Sequence, residues 1–289
     1  MHHEHRRFSR GARAAILLGV VLAVVLLGAD NGIAAEPQYL LGITADTSGN
    51  VFLADRELPG VWQLADGKLS LFFQGSKKFR TPLNAVRCLA IDQQGKLLAG
   101  DSATRDVFRF GDDKMPVPLT KGEIGIPMGI AVMKSGDLLV ADLEIHRIFK
   151  VPAAGGQPAV FAEVPAPRAL TIDKDDRVWV VSHGKDQVLR GTSEGKLEVA
   201  VSGRPFEFPS AIVVDEEGVA YVCDTYAKAI WKVPPGKPPE KWLTGDPLVS
   251  PVGMTRLGKD LLVADPRAKA VIRIDPAGKA SRMAWTLAQ

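Results

Sequence analysis

Arg87 and Arg168 are the residues of this chain best placed to do chemistry. Each stands immediately before a short run of small and apolar residues, Cys88-Leu89-Ala90-Ile91 and Ala169-Leu170-Thr171-Ile172. A guanidinium stays charged at any ordinary pH, and its planar fork of donors matches a carboxylate or a phosphate. If the fold brings these arginines together they can hold a small anion. Leu41, Met128, Ser210 and Val252 occupy the equivalent place before similar runs. Ser210 would add a hydroxyl to such a site and Met128 a soft apolar contact. Ser182-His183 is a further signal, because related segments end in Asp at the position of Ser182. His183 titrates in the physiological range and breaks the local pattern close to Arg168. The candidate ligand-binding residues are therefore Arg87, Arg168, His183, Ser182, Ser210 and Met128. The competing reading is that each rim arginine pairs with a neighbouring Asp and serves only the scaffold.

What must position these residues is a repeat. Six copies of one phrase start at Gly42, Cys88, Gly129, Ala169, Ala211 and Gly253. Each has small or apolar residues, a polar tight turn, and an apolar run ending at Asp55, Asp101, Asp142, Ser182, Asp224 or Asp265. Five residues then separate that end from Val61, Val107, Ile148, Val188, Ile230 or Val271. Successive end positions are 46, 41, 40, 42 and 41 residues apart. A period near forty with this alternation means an array of small sheets. In the third copy Gly129-Ile130-Ala131-Val132 reads as strand A and Leu138-Leu139-Val140-Ala141-Asp142 as strand B. Ile148-Phe149-Lys150-Val151 reads as strand C and Ala159-Val160-Phe161 as strand D. Strand D falls elsewhere at residues 69–73, 117–120, 197–202, 241–244 and 282–286. Gly49, Gly95, Gly136 and Gly218 recur in the A–B turn, where a short hairpin needs positive φ; Asp176 takes that place in the fourth copy.

The expected fold is all-β: a six-bladed β-propeller of four-stranded antiparallel blades, preceded by an N-terminal signal helix. Stacking in a closed ring buries the faces that a lone blade would expose. A seventh blade would need a copy that is not there, and a β-sandwich has no reason to repeat at this period. Every blade is complete in chain order, so the ring is expected to close by packing blade 6 on blade 1; a strand shared between the termini, using Pro37–Leu41, is the alternative that the count does not demand. Chain direction puts the D–A and B–C loops on one face, with the six pre-strand residues round its centre. Five copies of Asp at one position (Asp55, Asp101, Asp142, Asp224, Asp265) point to a scaffold role, with the carboxylate accepting N–H bonds in the B–C loop. The Asp173, Asp175, Asp176 group lacks the spacing of a calcium loop and reads as a solvated turn.

Pro127-Met128-Gly129-Ile130-Ala131-Val132, with Val140-Ala141-Asp142 and His146-Arg147-Ile148, resembles the NHL-repeat propellers. The resemblance spans residues 40–289 and implies an extracytoplasmic binding or sensor domain, a protein or RNA platform, or, more rarely, an enzyme. It also extends to the gluconolactonase and luciferin-regenerating-enzyme group. That group implies a divalent cation held by acids and asparagines just before the A strands. None of Leu41, Arg87, Met128, Arg168, Ser210 and Val252 is Asp, Glu or Asn, so the usual metal lactonase is not expected. The similar peptide-amidating lyases imply a zinc held by several histidines, but only His146 and His183 remain beyond residue 35.

Composition narrows the classes further. Residues 1–35 carry Arg6, Arg7, Arg10 and Arg13, then an uncharged apolar run of 15 residues, then Gly32-Ile33-Ala34-Ala35. This is the layout of a secretory signal, short for a membrane span, with an uncleaved anchor as the alternative. Residues 36–289 then form the propeller, with blades starting near 42, 88, 129, 169, 211 and 253. The expected location is the periplasm or the medium, reached by Sec-type export, with membrane contact only through the signal. Without residues 1–35 the chain has 32 bases, 31 acids and a net charge of +1, so no basic field argues for nucleic acid. Cys88 and Cys223 fall on opposed blades, too far apart for a disulfide, and are expected as two buried thiols. No Gly-rich phosphate loop, nucleophile elbow or paired carboxylates appear. The expected function is a non-catalytic, monomeric binding protein for a small molecule or a protein partner, with no cofactor and no metal. Tyr226, Lys228, Ile145 and Leu58 are candidate exposed contacts. The alternative is a hydrolase, lactonase-like, or a lyase with a metal-free site around Arg87, Arg168 and His183.

Overall fold

The computed structural model describes residues 36–78 and 80–288; the expected signal segment and its export role lie outside them. The described chain forms six sheets, each carrying four antiparallel strands in chain order. Blade 3 comprises Pro127–Val132, Leu138–Asp142, Arg147–Val151 and Ala159–Glu163 as strands A to D. No helix occurs among the described residues. The A–B turns behave as their residues demand. Gly49, Gly95, Gly136 and Gly218 sit at φ between 74° and 90°, and Asp176 at 62°. Asp176 also accepts the Lys134 N–H at 2.9 Å, tying the turn of blade 4 to that of blade 3. Asp173 departs from the solvated-turn expectation. Its carboxylate is buried and accepts the backbone N–H groups of Asp175 and Arg177 and the Trp179 indole N–H.

The packing explains the apolar pattern. Each of six hydrophobic clusters draws its side chains from two adjacent blades, so every interblade seam is a core. The B strands of blades 1 to 4 are buried along their whole length because they face two such seams. The A strands contact one another round the ring, and Leu40–Ala45 of blade 1 meets Gly253–Leu257 of blade 6. Cys88 and Cys223 are unbridged, buried, and in different seams.

The ring closes differently from the simple packing read from the sequence. Strand D of blade 6 is only Ala280–Arg282. The chain then crosses to blade 1, where Thr286–Leu287 adds a fifth, parallel strand beside Lys68–Gln74. Met283, Trp285 and Leu287 pack on the seam between blades 6 and 1. Deleting residues 283–289 is therefore expected to lower the melting temperature by several degrees, since at least one large apolar contact of about 2 kcal/mol is lost. An unchanged melting curve would mean that this strand does not brace the ring.

The repeated Asp is the joint that sets each A strand. Asp101, Asp142, Asp224 and Asp265 are completely buried and Asp55 nearly so. Asp142 shows the pattern. It accepts the N–H of Glu144 in the B–C loop at 2.9 Å, as the sequence suggested. It also accepts Gly125 N–H at 2.7 Å and Ile126 N–H at 3.1 Å from the D–A loop. Asp55 does the same for Gln38 and Tyr39, Asp101 for Leu83 and Ala85, Asp224 for Glu207 and Phe208, and Asp265 for Val249 and Ser250. In blade 4 the corresponding residue is Pro165, which has no N–H. Ser182 stands there instead and donates its hydroxyl to the Pro165 carbonyl at 2.6 Å.

Candidate functional site

Fixing the entry of each A strand has a second consequence. Asp101 pairs with Val86 and Gly100 with Cys88, so Arg87 is left over as a bulge. Leu41, Met128, Arg168 and Ser210 are skipped in the same way in their blades. A bulge re-aims its side chain. Here all of them, with Val252 of blade 6, line a single cavity of about 470 Å³ at the centre of the ring. Such a volume suits a small molecule.

The electrostatics of this cavity are one-sided. Arg56, Arg87, Arg168 and Arg267 line it, and among the described residues no Asp or Glu does. Among the described residues Arg87, Arg168 and Arg267 make no ion pair, so the pairing with a neighbouring Asp does not occur. The Arg87 Nε donates to the Ser102 hydroxyl at 3.1 Å, which orients the guanidinium without neutralising it. Arg168 lies over the Phe208 ring at 5.4 Å, and its Nε is buried with no hydrogen-bond partner. Burial holds the Arg168 guanidinium below its usual basicity, yet it remains charged at neutral pH. Arg56 is engaged more loosely, 3.9 Å from Glu57 and 5.6 Å from the centre of the Tyr39 ring.

The remaining candidates divide. Ser210 and Met128 line the cavity, the Ser210 hydroxyl lying 3.0 Å from that of Thr225. Ser182 and His183 stand behind the wall. Ser182 is consumed by Pro165 and by the Gly184 N–H. The His183 Nε2 is 2.8 Å from the Pro209 carbonyl, which can only accept, so this nitrogen carries the proton. The imidazole meets Phe208 in a T-shaped contact, and the Tyr226 ring stacks on the same Phe208. Arg56, Arg267, Thr225 and Tyr226 were not singled out as cavity-lining residues from the sequence. All sit one or two positions after the repeated Asp, and that column of the repeat is the signal that finds them. Cys88 also reaches the cavity, but burial pushes its thiol up to about 12, so it is no nucleophile at neutral pH. Among the described residues no three His, Cys, Asp or Glu side chains gather as metal ligands.

His183 reports on the charge of the mouth. Burial lowers its pKa first; the bond to Pro209 opposes this, and the charges of Arg168 and Arg204 lower it further. The unfolded chain takes up a proton near pH 6.5, whereas folded His183 resists until lower pH. Its contribution to stability is thus whole above about pH 6.5 and is lost as the pH falls towards the folded value. Arg168→Ala should raise the His183 midpoint in an NMR titration; a midpoint that stays put would mean that Arg168 exerts no field there.

No protein-family model matches the chain, and no curated protein matches its sequence. Solved structures do match in fold. Virginiamycin B lyase from Staphylococcus aureus superposes with a TM-score of 0.67 at 18% identity, over 87% of this chain and 86% of the lyase. A gluconolactonase from Xanthomonas campestris gives 0.68 at 14% identity, over 80% and 84% of the two chains. A chain of the nidogen/laminin complex gives 0.66 at 19% identity, over 86% and 93%. At such identities the likeness establishes the six-bladed fold alone.

Proposed function

We propose that this chain is an exported, NHL-type β-propeller that binds a small anion at the mouth of its central channel. The observation that carries the reading is the cavity that Arg87, Arg168 and Arg267 all line, with no carboxylate among its described lining residues. Unpaired guanidiniums in a partly desolvated site are costly to keep and bind anions well. The binding reading is preferred to a hydrolase or lyase because the lining residues supply no general base: His183 is turned to Pro209, and the Cys88 thiol is protonated. The neighbours in fold include lyases and a gluconolactonase as well as a member of a protein–protein complex, so location on the fold does not itself decide for catalysis. Export to the periplasm or medium is part of the proposal and rests on residues 1–35.

Calorimetric titration with inorganic phosphate and short carboxylates tests the reading. Binding should be measurable for the purified chain and weakened in Arg87→Ala and in Arg168→Ala. Unchanged affinity in both variants would end it.

A further inference from the structure

The wall of the cavity changes character below the arginines. Ile43, Leu89, Leu170, Ile212 and Met254 line the same space. Each lies two residues along its A strand from Leu41, Arg87, Arg168, Ser210 or Val252, about 6.6 Å further along the strand. All five are buried against the seams, with 3% to 8% exposure, and none carries a hydrogen-bonding side chain. The mouth thus sets cationic and hydroxyl groups beside apolar ones, and aliphatic side chains line the space further in, the throat. Met128 and Val252 continue the apolar surface up to the rim. A fully polar anion such as phosphate would fill only the upper part.

We infer that the ligand is an amphipathic anion, with a compact carboxylate or phosphate head held by Arg87 and Arg168 and an unbranched apolar tail lying in the throat between Leu89, Leu170 and Met254. This rests on the anion-binding reading and adds the class of molecule. Head and tail make separable contributions. The head should depend on the arginines and on salt. The tail should add affinity with each methylene removed from water, by about fourfold per group.

Calorimetry on the purified full chain with butanoate, octanoate, octyl phosphate and 1-octanol tests this. Octanoate is expected to bind about a hundredfold more tightly than butanoate, the longer chain burying several more methylenes. Octyl phosphate distinguishes a phosphate head from a carboxylate one; either binding in this way supports the class. Octanol should bind far more weakly than octanoate. Met254→Gln, which places a polar amide in the throat, should narrow the gap between octanoate and butanoate. If butanoate or phosphate binds through the arginines but octanoate gains nothing, the tail site is wrong and the anion reading survives. If octanol binds as well as octanoate, recognition of the head is wrong. If none of the anions binds, both proposals fall together.

Discussion

Replacing Ser182 by the Asp that the other blades carry is expected to destabilise the protein by about 2–4 kcal/mol. The substitution looks like a return to the pattern, but the partner is missing. Elsewhere the carboxylate accepts two N–H groups of the D–A loop, as Asp142 does from Gly125 and Ile126. In blade 4 the first of these groups belongs to Pro165 and does not exist. A carboxylate at 182 would lose the hydroxyl donor now bonded to the Pro165 carbonyl and set a buried negative charge against that oxygen. The Gly184 N–H would remain as a donor, and the Ala166 N–H, now 3.4 Å from the His146 Nδ1, is the one D–A group left, one donor fewer than the other blades supply to a carboxylate as buried as this site, which is 1% exposed. Pro165→Ala restores the missing N–H, so the double variant should recover at least half of the loss. Chemical denaturation of the two single variants and the double variant forms a double-mutant cycle. A double variant no more stable than Ser182→Asp alone would contradict the view that Pro165 dictates Ser182.

Arg87→Ala with Arg168→Ala should remove anion binding while leaving the fold intact. A hydrogen bond to a charged group contributes about 1.5–3 kcal/mol, so each single variant should weaken binding by about ten- to a hundredfold. Stability should move little, within about 0.5 kcal/mol for each substitution. Arg168 has no ion pair to forfeit, and its Nε gives up no hydrogen bond. What it loses is contact with the Phe208 ring, offset by relief from holding a charge in a partly buried place. A large fall in melting temperature for Arg168→Ala would mean that the guanidinium braces the blade rather than awaiting a ligand. Equal anion affinity before and after would exclude the mouth as the site.

Most of the architecture was legible in the chain because its causes are local and repeated. The A–B glycines mark hairpins, the apolar runs mark strands buried in seams, and the terminal Asp recurs because every A strand needs the same joint. Arg87 and Arg168 could be placed at the centre because they precede A strands. Two things were hidden. The bulge at residues 41, 87, 128, 168 and 210 leaves no trace in hydrophobic alternation, since it is the pairing with strand B that skips a residue. The final strand is two residues long and pairs with the far end of the chain, so no periodicity announces it. Ser182 departs from the pattern for a reason that lies in the scaffold. Its departure from Asp signalled a missing backbone donor at Pro165, and a departure from pattern can report on scaffold as readily as on site. His183 stands beside it, with its Nε2 facing the Pro209 carbonyl.

The most direct measurement is a crystal structure of the chain grown with 8-bromooctanoate, in which anomalous scattering locates the bromine. The bromine is expected in the throat among Leu89, Leu170 and Met254, with the carboxylate within hydrogen-bond distance of the Arg87 and Arg168 guanidiniums. A bromine peak elsewhere on the molecule, or an empty mouth at a saturating concentration of the acid, would contradict the account.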